Sequence, residues 1–278
     1  MAPIKISSPP THEFWEIEVL YEDEHLLALN KPAGLLLSPD HKDPARPSLL
    51  GLIHAGIKEG KPWATERSLG YLMNAHRLDL ETSGVLLLAK SKLVLQALAD
   101  LFGSEKPLRH YLALAQGAPA EDKFEMDGSI APHPVKPGLM HVDANRGKRS
   151  RSLFEVRERF RGWTLLRCSP LTERKHQVRV HLRQARLPLA GDAEYGGSRL
   201  LLSRVKPNFR LKPQKTERPL LDRPTLHAES LELPHPVTGA VLQITAPWPK
   251  ELTVALKYLR KYALLSPTQD TSQASTAF

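Results

Sequence analysis

Nine consecutive residues, His76-Arg77-Leu78-Asp79-Leu80-Glu81-Thr82-Ser83-Gly84, hold the densest chemistry in the chain. A carboxylate two positions from a guanidinium can be kept ionised, because a cation within about 4–6 Å favours its charged form. Thr82 and Ser83 can hydrogen-bond local backbone, and Gly84 allows a sharp entry into the next element. That element, Gly84-Val85-Leu86-Leu87-Leu88-Ala89, is an apolar run typical of a strand buried on both faces. The spacing therefore sets Asp79 on a loop at the edge of a buried sheet, where it is aimed as well as charged. The same residues also describe a capped loop closed by an Arg–Asp ion pair, and such structural pairs outnumber active sites.

The elements around this loop can be read from periodicity. Residues 17–21 and 26–29 read as strands, and Lys31-Pro32-Ala33-Gly34 stops the second of them. Residues 48–59 predict a short helix. Ser91 is an N-cap for a helix that repeats Leu93, Ala97, Leu98 and Leu101 up to Gly103. Residues 110–116 alternate as a strand, and short strands follow within 117–150, at 152–156 and at 164–168. Residues 172–186 predict a helix, 226–233 and 241–245 two strands, and 250–264 a last helix. Strands outnumber helices without alternating regularly with them, which predicts an α+β domain with a mixed, largely antiparallel sheet and flanking helices. The expected organisation is a flexible N-terminus over 1–15, one catalytic domain over 16–264 with a basic insertion at 198–224, and a disordered tail over 265–278.

The order of motifs resembles one family. HRLDLETSG is similar to the HRLDxxTSG signature of the RluA-type pseudouridine synthases. Val19-Leu20-Tyr21-Glu22-Asp23 with Asn30-Lys31-Pro32-Ala33-Gly34 resembles the family's first motif. Arg109-His110-Tyr111-Leu112-Ala113 resembles its K-x-Y-x-A segment, with Arg109 in the lysine slot. Leu171 to Leu182 is similar to LxTGRxHQIRxHL, and Pro188, Gly191-Asp192 and Tyr195-Gly196 to the P-x-x-GD-x-x-YG that follows it. Leu226-His227-Ala228, His235-Pro236 and Ala246-Pro247 complete the pattern, so the resemblance runs from about residue 17 to 262. Glu173 stands where the family has Gly before Arg174, which strains the loop if that position needs a positive φ. No S4 RNA-binding domain of the kind many relatives carry is expected before the first motif, and the catalytic domain is expected to grip RNA itself.

The resemblance implies the pseudouridine synthase fold and the isomerisation of uridine in structured ribosomal or transfer RNA. The glycosidic carbon–nitrogen bond breaks, the base turns, and the sugar carbon bonds to carbon 5 of the base. This needs a carboxylate but no redox or group donor, so no cofactor is expected. The resemblance gives the carboxylate role to Asp79 and makes Arg179 the cation that keeps it ionised. Tyr111 becomes the aromatic wall for a base flipped from its stack. Arg77 would fill the vacated stack or hold a flanking phosphate, and His76 and Arg183 are read with it as RNA-binding residues, His76 as a loop hydrogen-bonder rather than a proton donor. Lys31 is read as supporting the floor of the site. A helix over 175–184 would set Arg179 and Arg183 one turn apart, with Val178 and Leu182 anchoring the adjacent face.

Composition bounds the partners. The chain has 278 residues, 41% hydrophobic and 25% charged, as expected of a folded protein rather than a disordered one. One cysteine, Cys168, excludes a disulfide scaffold and a multi-cysteine metal site, and suits a reducing cytoplasm. His176 and His181 lack an obvious third ligand, so no metal is expected. No phosphate-binding glycine loop or HExxH occurs. A net charge of +9 attracts polyanions, and the basic residues cluster in 145–161 and 198–224. Within the latter, Arg204, Lys206, Arg210 and Lys212 are read as phosphate contacts beside the cleft. The expected assembly is a monomer whose partner is RNA. A catalytically idle RNA-binding relative is the alternative, and the presence of Asp79, Tyr111 and Arg179 argues against it. A glycoside hydrolase using Asp79 and Glu81 is weaker, since residues two apart on a loop need not face one substrate.

Overall fold

The computed structural model describes residues 1–40, 42–104, 107–212 and 214–265. Along the chain these form β1 (Ile4–Ser8), β2 (Glu13–Ile17), β3 (Val19–Glu22), β4 (Leu26–Lys31), α1 (Leu49–Lys58), α2 (Pro62–Thr65), β5 (Met73–Asn74), β6 (Ser83–Ala89) and α3 (Lys92–Gly103). They continue with β7 (Leu108–Gln116), β8 (Lys123–Pro132), β9 (Met140–Val142), β10 (Lys148–Phe160), β11 (Trp163–Pro170), α4 (Gln177–Gln184), β12 (Leu226–Pro234), β13 (Val241–Thr245) and α5 (Lys250–Tyr262). Two 3-10 turns, at Ala193–Tyr195 and Leu202–Arg204, interrupt the segment between α4 and β12. The chain divides into two compact units, one of residues 1–111 with 226–248 and one of 112–225 with 249 onward, where the sequence reads as one domain over 16–264. None of the helices among the described residues is long and apolar enough to cross a membrane.

In the first unit β6 is buried along its whole length, as its apolar run predicts. Side chains alternate across a strand, so the run feeds two cores. Leu86 and Leu88, with Leu27 and Leu29 of β4, pack under α1 and the β1–β2 hairpin. Val85, Leu87 and Ala89, with Leu26 and Ala28, pack under Val94 and Leu98 of α3. β4 pairs with β6 antiparallel, β3 with β4, and β5 with the far end of β6, while β12 joins β6 in parallel at His227↔Ser83 and Ala228↔Gly84. Ser48 and Ser91 cap α1 and α3, their side chains accepting from Gly51 N–H and Val94 N–H.

The first dozen residues are not loose. Ile4 and Ile6 alternate with polar neighbours, pair with Ile17 and Trp15, and are buried in the core under α1. Two apolar residues at period two were too short a signal beside the flanking Pro and Ser, but the α1 face they cover is apolar and accepts them.

In the second unit β11, β10, β8 and β9 lie side by side, and the antiparallel pairings of β10 with β11 and with β8 run well past the short strands expected from sequence. A bulge at Val156/Glu158 breaks the alternation of β10, which hides its full length from a period-two reading. The helix expected over 172–186 shortens to α4, because His176 adopts φ 56° and starts it late. Leu112, Leu114, Phe160, Trp163 and Leu165 form a core with Leu252, Ala255, Leu256 and Leu259 of α5. The basic stretch 198–224 is tied into that core by buried Leu200, Val205 and Leu221, and Leu200 bridges Leu221. Its ends are thus structural, and only the part between them is a solvated arm. The expected disordered tail lies, from residue 266 onward, outside the described residues.

Gly84 sits where the Asp79 loop enters β6, with φ +112°, and a Cβ there would meet Ala228 O of β12 at 2.2 Å. Backbone cannot yield as a flexible side chain does. Gly84→Ala should therefore cost about 3 kcal/mol or more, the sum of a left-handed residue and a backbone clash. Urea unfolding of the purified variant measures this, and a loss below about 1 kcal/mol would show that β12 can move away.

Candidate active site

The loop between β5 and β6 is built by replacing lost strand hydrogen bonds. Ala75 N–H donates to Leu87 O, continuing the β5–β6 ladder. One residue on, the ladder passes to a side chain: Leu87 N–H donates to His76 Nε2 at 3.1 Å. Asn74 Nδ2 donates to His76 O. The His76 ring packs against Phe102 of α3, 5.3 Å between centroids, and the Arg109 guanidinium carbon lies 5.8 Å from the centroid of the Phe102 ring. His76 is 8% exposed. Burial first, and the charge of Arg109 second, push its pKa down to about 3. The residue pins the loop as a neutral acceptor rather than presenting itself to a partner.

Leu78 anchors the next turn in the core, and Thr82 N–H donates to Asp79 O at 3.1 Å. Gly34 N–H donates to Leu80 O. Lys31, fully buried, sends its ammonium to Pro32 O at 2.9 Å and to Leu80 O and Thr82 O at 3.1 Å each. The Lys-Pro-Ala-Gly segment and the Asp79 loop are therefore locked to one another through backbone. Asp79 is half-buried within this frame, Glu81 is half-buried, and Arg77 is exposed. Ser83 Oγ, at the start of β6, lies 3.0 Å from His227 Nδ1 of β12. Tyr111, at the end of the first unit, is half-buried and packs against the core under α1.

Arg179 belongs to the second unit. Val178 and Leu182 anchor α4 as expected, and a polar network fixes its rotation. Ser150 Oγ donates to Gly128 O and sits 2.9 Å from His181 Nε2. His181 Nδ1 is 3.0 Å from Ser152 Oγ, which also accepts from Gln177 Nε2. Both ring nitrogens of His181 are thus occupied, and burial pushes its pKa down to about 4. Among the described residues no group of His, Cys, Asp and Glu is arranged to hold a metal ion.

The structure separates the two arginines of α4. Arg183 is exposed, whereas Arg179 is 6% exposed. Arg179 Nε and Nη2 donate to the two oxygens of Asp192, both at 2.7 Å, and Nη2 donates to Glu194 at 2.6 Å. Burial opposes its charge, but the two carboxylates outweigh burial and raise its pKa. The Tyr195 ring lies 4.6 Å from the guanidinium carbon. Tyr195 Oη accepts from Met140 N–H at 2.9 Å and lies 2.8 Å from His176 Nδ1. Burial, then the charge of Arg179, pushes the pKa of His176 down to about 4. Among the described residues the positive φ in this turn falls on His176 and not on Glu173, so the substitution at 173 meets no left-handed strain.

Of the residues read from 198–224, Arg204, Arg210 and Lys212 are exposed. Lys206 is half-buried, its ammonium 5.9 Å from the Tyr262 ring of α5. Sequence reading found Asp192 and Tyr195 only as letters of a motif and missed Glu194, Ser150 and Ser152 altogether. The glycines that bracket Asp192 were the available signal.

The sequence profile of the RNA pseudouridylate synthases matches residues 25–184. Ribosomal large subunit pseudouridine synthase D of Xylella fastidiosa is 35% identical over 249 residues, 90% of this chain and 71% of that protein. Ribosomal large subunit pseudouridine synthase C of Escherichia coli K12 is 35% identical over 244 residues, 87% of this chain and 70% of that protein. Among solved structures, human RNA pseudouridylate synthase domain containing 4 superposes with a TM-score of 0.64 at 24% identity, covering 87% of this chain and 92% of that one, a likeness of fold.

Three histidines whose pKa values burial depresses, His76, His176 and His181, set a pH dependence. Each has a folded pKa of about 3 to 4 against an ordinary 6.5. Above pH 6.5 they are neutral in both states, and the full stability is present. As pH falls below 6.5 the unfolded chain binds protons that the folded chain refuses, and stability drops by up to about 1.4 kcal/mol per pH unit for each histidine. The urea midpoint should fall between pH 6.5 and 4.5, and more gently in His181→Gln than in wild type. Equal slopes in the two proteins would contradict this account of His181.

Proposed function

The chain belongs to the RNA pseudouridylate synthase family, and we propose that it isomerises uridine to pseudouridine in large-subunit ribosomal RNA with Asp79 as its catalytic carboxylate. The observation that carries this reading is the frame around Asp79. A buried ammonium, a buried neutral imidazole and a strand edge hold the loop's backbone on three sides. That much buried hydrogen bonding is spent on aiming one half-buried carboxylate. The choice of ribosomal RNA rests on the relatives, whose names specify the large ribosomal subunit.

Tyr111 supplies the stacking wall for the flipped base, and Arg179 the cation of the site. Arg77, exposed two residues before Asp79, takes the place of the extruded base or holds the neighbouring phosphate. Arg183, Arg204, Lys206, Arg210 and Lys212 make sequence-independent phosphate contacts.

Asp79→Asn should fold as wild type and form no pseudouridine. The measurement is mass-spectrometric counting of pseudouridine in transcribed large-subunit ribosomal RNA, with transfer RNA as the parallel substrate. Normal turnover by the Asn variant would remove Asp79 from the chemistry, and modification of transfer RNA alone would replace the substrate.

Changing Arg204, Lys206, Arg210 and Lys212 together to Ala should lower the slope of log affinity against log salt by about 3, at roughly 0.7–0.9 per phosphate contact. Turnover at saturating RNA should be nearly unchanged. An unaltered slope would return the segment to an ordinary solvated loop.

A further inference from the structure

An arginine carries five N–H donors in a rigid plane. Three of those on Arg179 are spent within the second unit: Nε and one hydrogen of Nη2 on Asp192, and the other hydrogen of Nη2 on Glu194. Nη1 makes no hydrogen bond among the described residues. Asp192 is fully buried, and its side chain is fixed by more than the arginine. It caps the turn Ala193–Tyr195, its Oδ1 accepting from Tyr195 N–H at 3.3 Å. The backbone before it is held by Gly191, with φ +78°, where a Cβ would lie 2.1 Å from Arg223 O. The Tyr195 ring closes one face of the guanidinium, and Met140 N–H holds that tyrosine's hydroxyl in place. A side-on, two-point carboxylate contact fixes the plane of a guanidinium as well as its position.

We propose that Asp192, seconded by Glu194, is a positioning residue for the isomerisation: it locks the plane of Arg179 so that Nη1 is the edge left for the reacting groups. The proposal rests on the reading of this chain as a pseudouridine synthase that uses Arg179. Asp192 itself touches no reacting atom and works only through the arginine. A misplacement of about 1 Å in such a group costs on the order of 100-fold in rate. The glycine before Asp192 and the aromatic three residues after it follow from the same requirement, because the carboxylate must reach α4 from a turn too tight for a side chain at 191.

The test is a double-mutant cycle on the full chain with transcribed large-subunit ribosomal RNA, reading kcat and KM per folded molecule. Asp192→Asn should lower kcat about 100-fold with KM changed no more than a few-fold, and Arg179→Gln should lower it at least as much. The double variant should be no slower than Arg179→Gln alone, because residues that act through one group are not additive. Glu194→Gln, on a side chain 56% exposed, forms a second cycle that does not endanger folding, with a smaller loss that also vanishes in the Arg179→Gln background. If Asp192→Asn fails to fold, this second cycle decides. Losses that multiply in the double variants, a lower Tm with kcat unchanged, or an Arg179→Gln enzyme as fast as wild type would each overturn the proposal. Wild type and Asp79→Asn run alongside. An inactive wild type or an active Asp79→Asn defeats the functional reading itself, whereas an active wild type with an inactive Asp79→Asn leaves any failure to the clamp alone.

Discussion

The buried ammonium of Lys31 is the interaction on which the first unit's site depends. A loop that carries a reactive side chain has to be irregular, and irregular backbone leaves carbonyls without ladder partners. Buried and unsatisfied, each would cost about 1–3 kcal/mol. Lys31 Nζ answers three carbonyls of this segment at once, at Pro32, Leu80 and Thr82, and Leu80 O also accepts from Gly34 N–H. The two on either side of Glu81 fix the course of the chain just past Asp79. A backbone donor could satisfy one of them; only a long side chain with several donors reaches all three from the end of β4.

The same economy governs the other edge of the loop. His76 continues a strand ladder with a ring nitrogen, and burial keeps that ring neutral so that it stays an acceptor. β6 can then begin abruptly at Ser83 and Gly84, with β12 in close parallel contact behind it. Both faces of β6 are covered, so the strand that takes up the His76 ring and receives the end of the loop is deeply packed. The loop's position is therefore set by core packing and not by its own preferences.

The second unit follows the same logic with charges in place of carbonyls. Gln177 and His181 turn one face of α4 toward serines of β10, while Arg179 is drawn into the protein by Asp192 and Glu194. A buried guanidinium without carboxylates would be costly, and with two it is firmly charged. Arg183, one turn further on, makes no ion pair among the described residues and is exposed. Two arginines at helical spacing thus have opposite environments for a reason that lies elsewhere in the chain.

The class of fold, most strand and helix positions, the Ser91 cap of α3 and the family were legible in the sequence, because these depend on local periodicity and on short motifs whose residues are contiguous; the Ser48 cap of α1 was not read there. The sequence also placed Asp79 on a loop entering a doubly buried strand, since the nine-residue signature and the apolar run adjoin. It did not show that Ile4 and Ile6 would find a core, that the ends of 198–224 would be packed, or that β10 would run on past a bulge. Each of these is decided by a partner far away in sequence: α1, α5 and β8. The partners of Lys31 and Arg179 belong to the same class. Which carbonyls a lysine satisfies, and which carboxylates claim an arginine, depends on distances that exist only once strands and helices have packed, and these are what the tertiary structure alone decided.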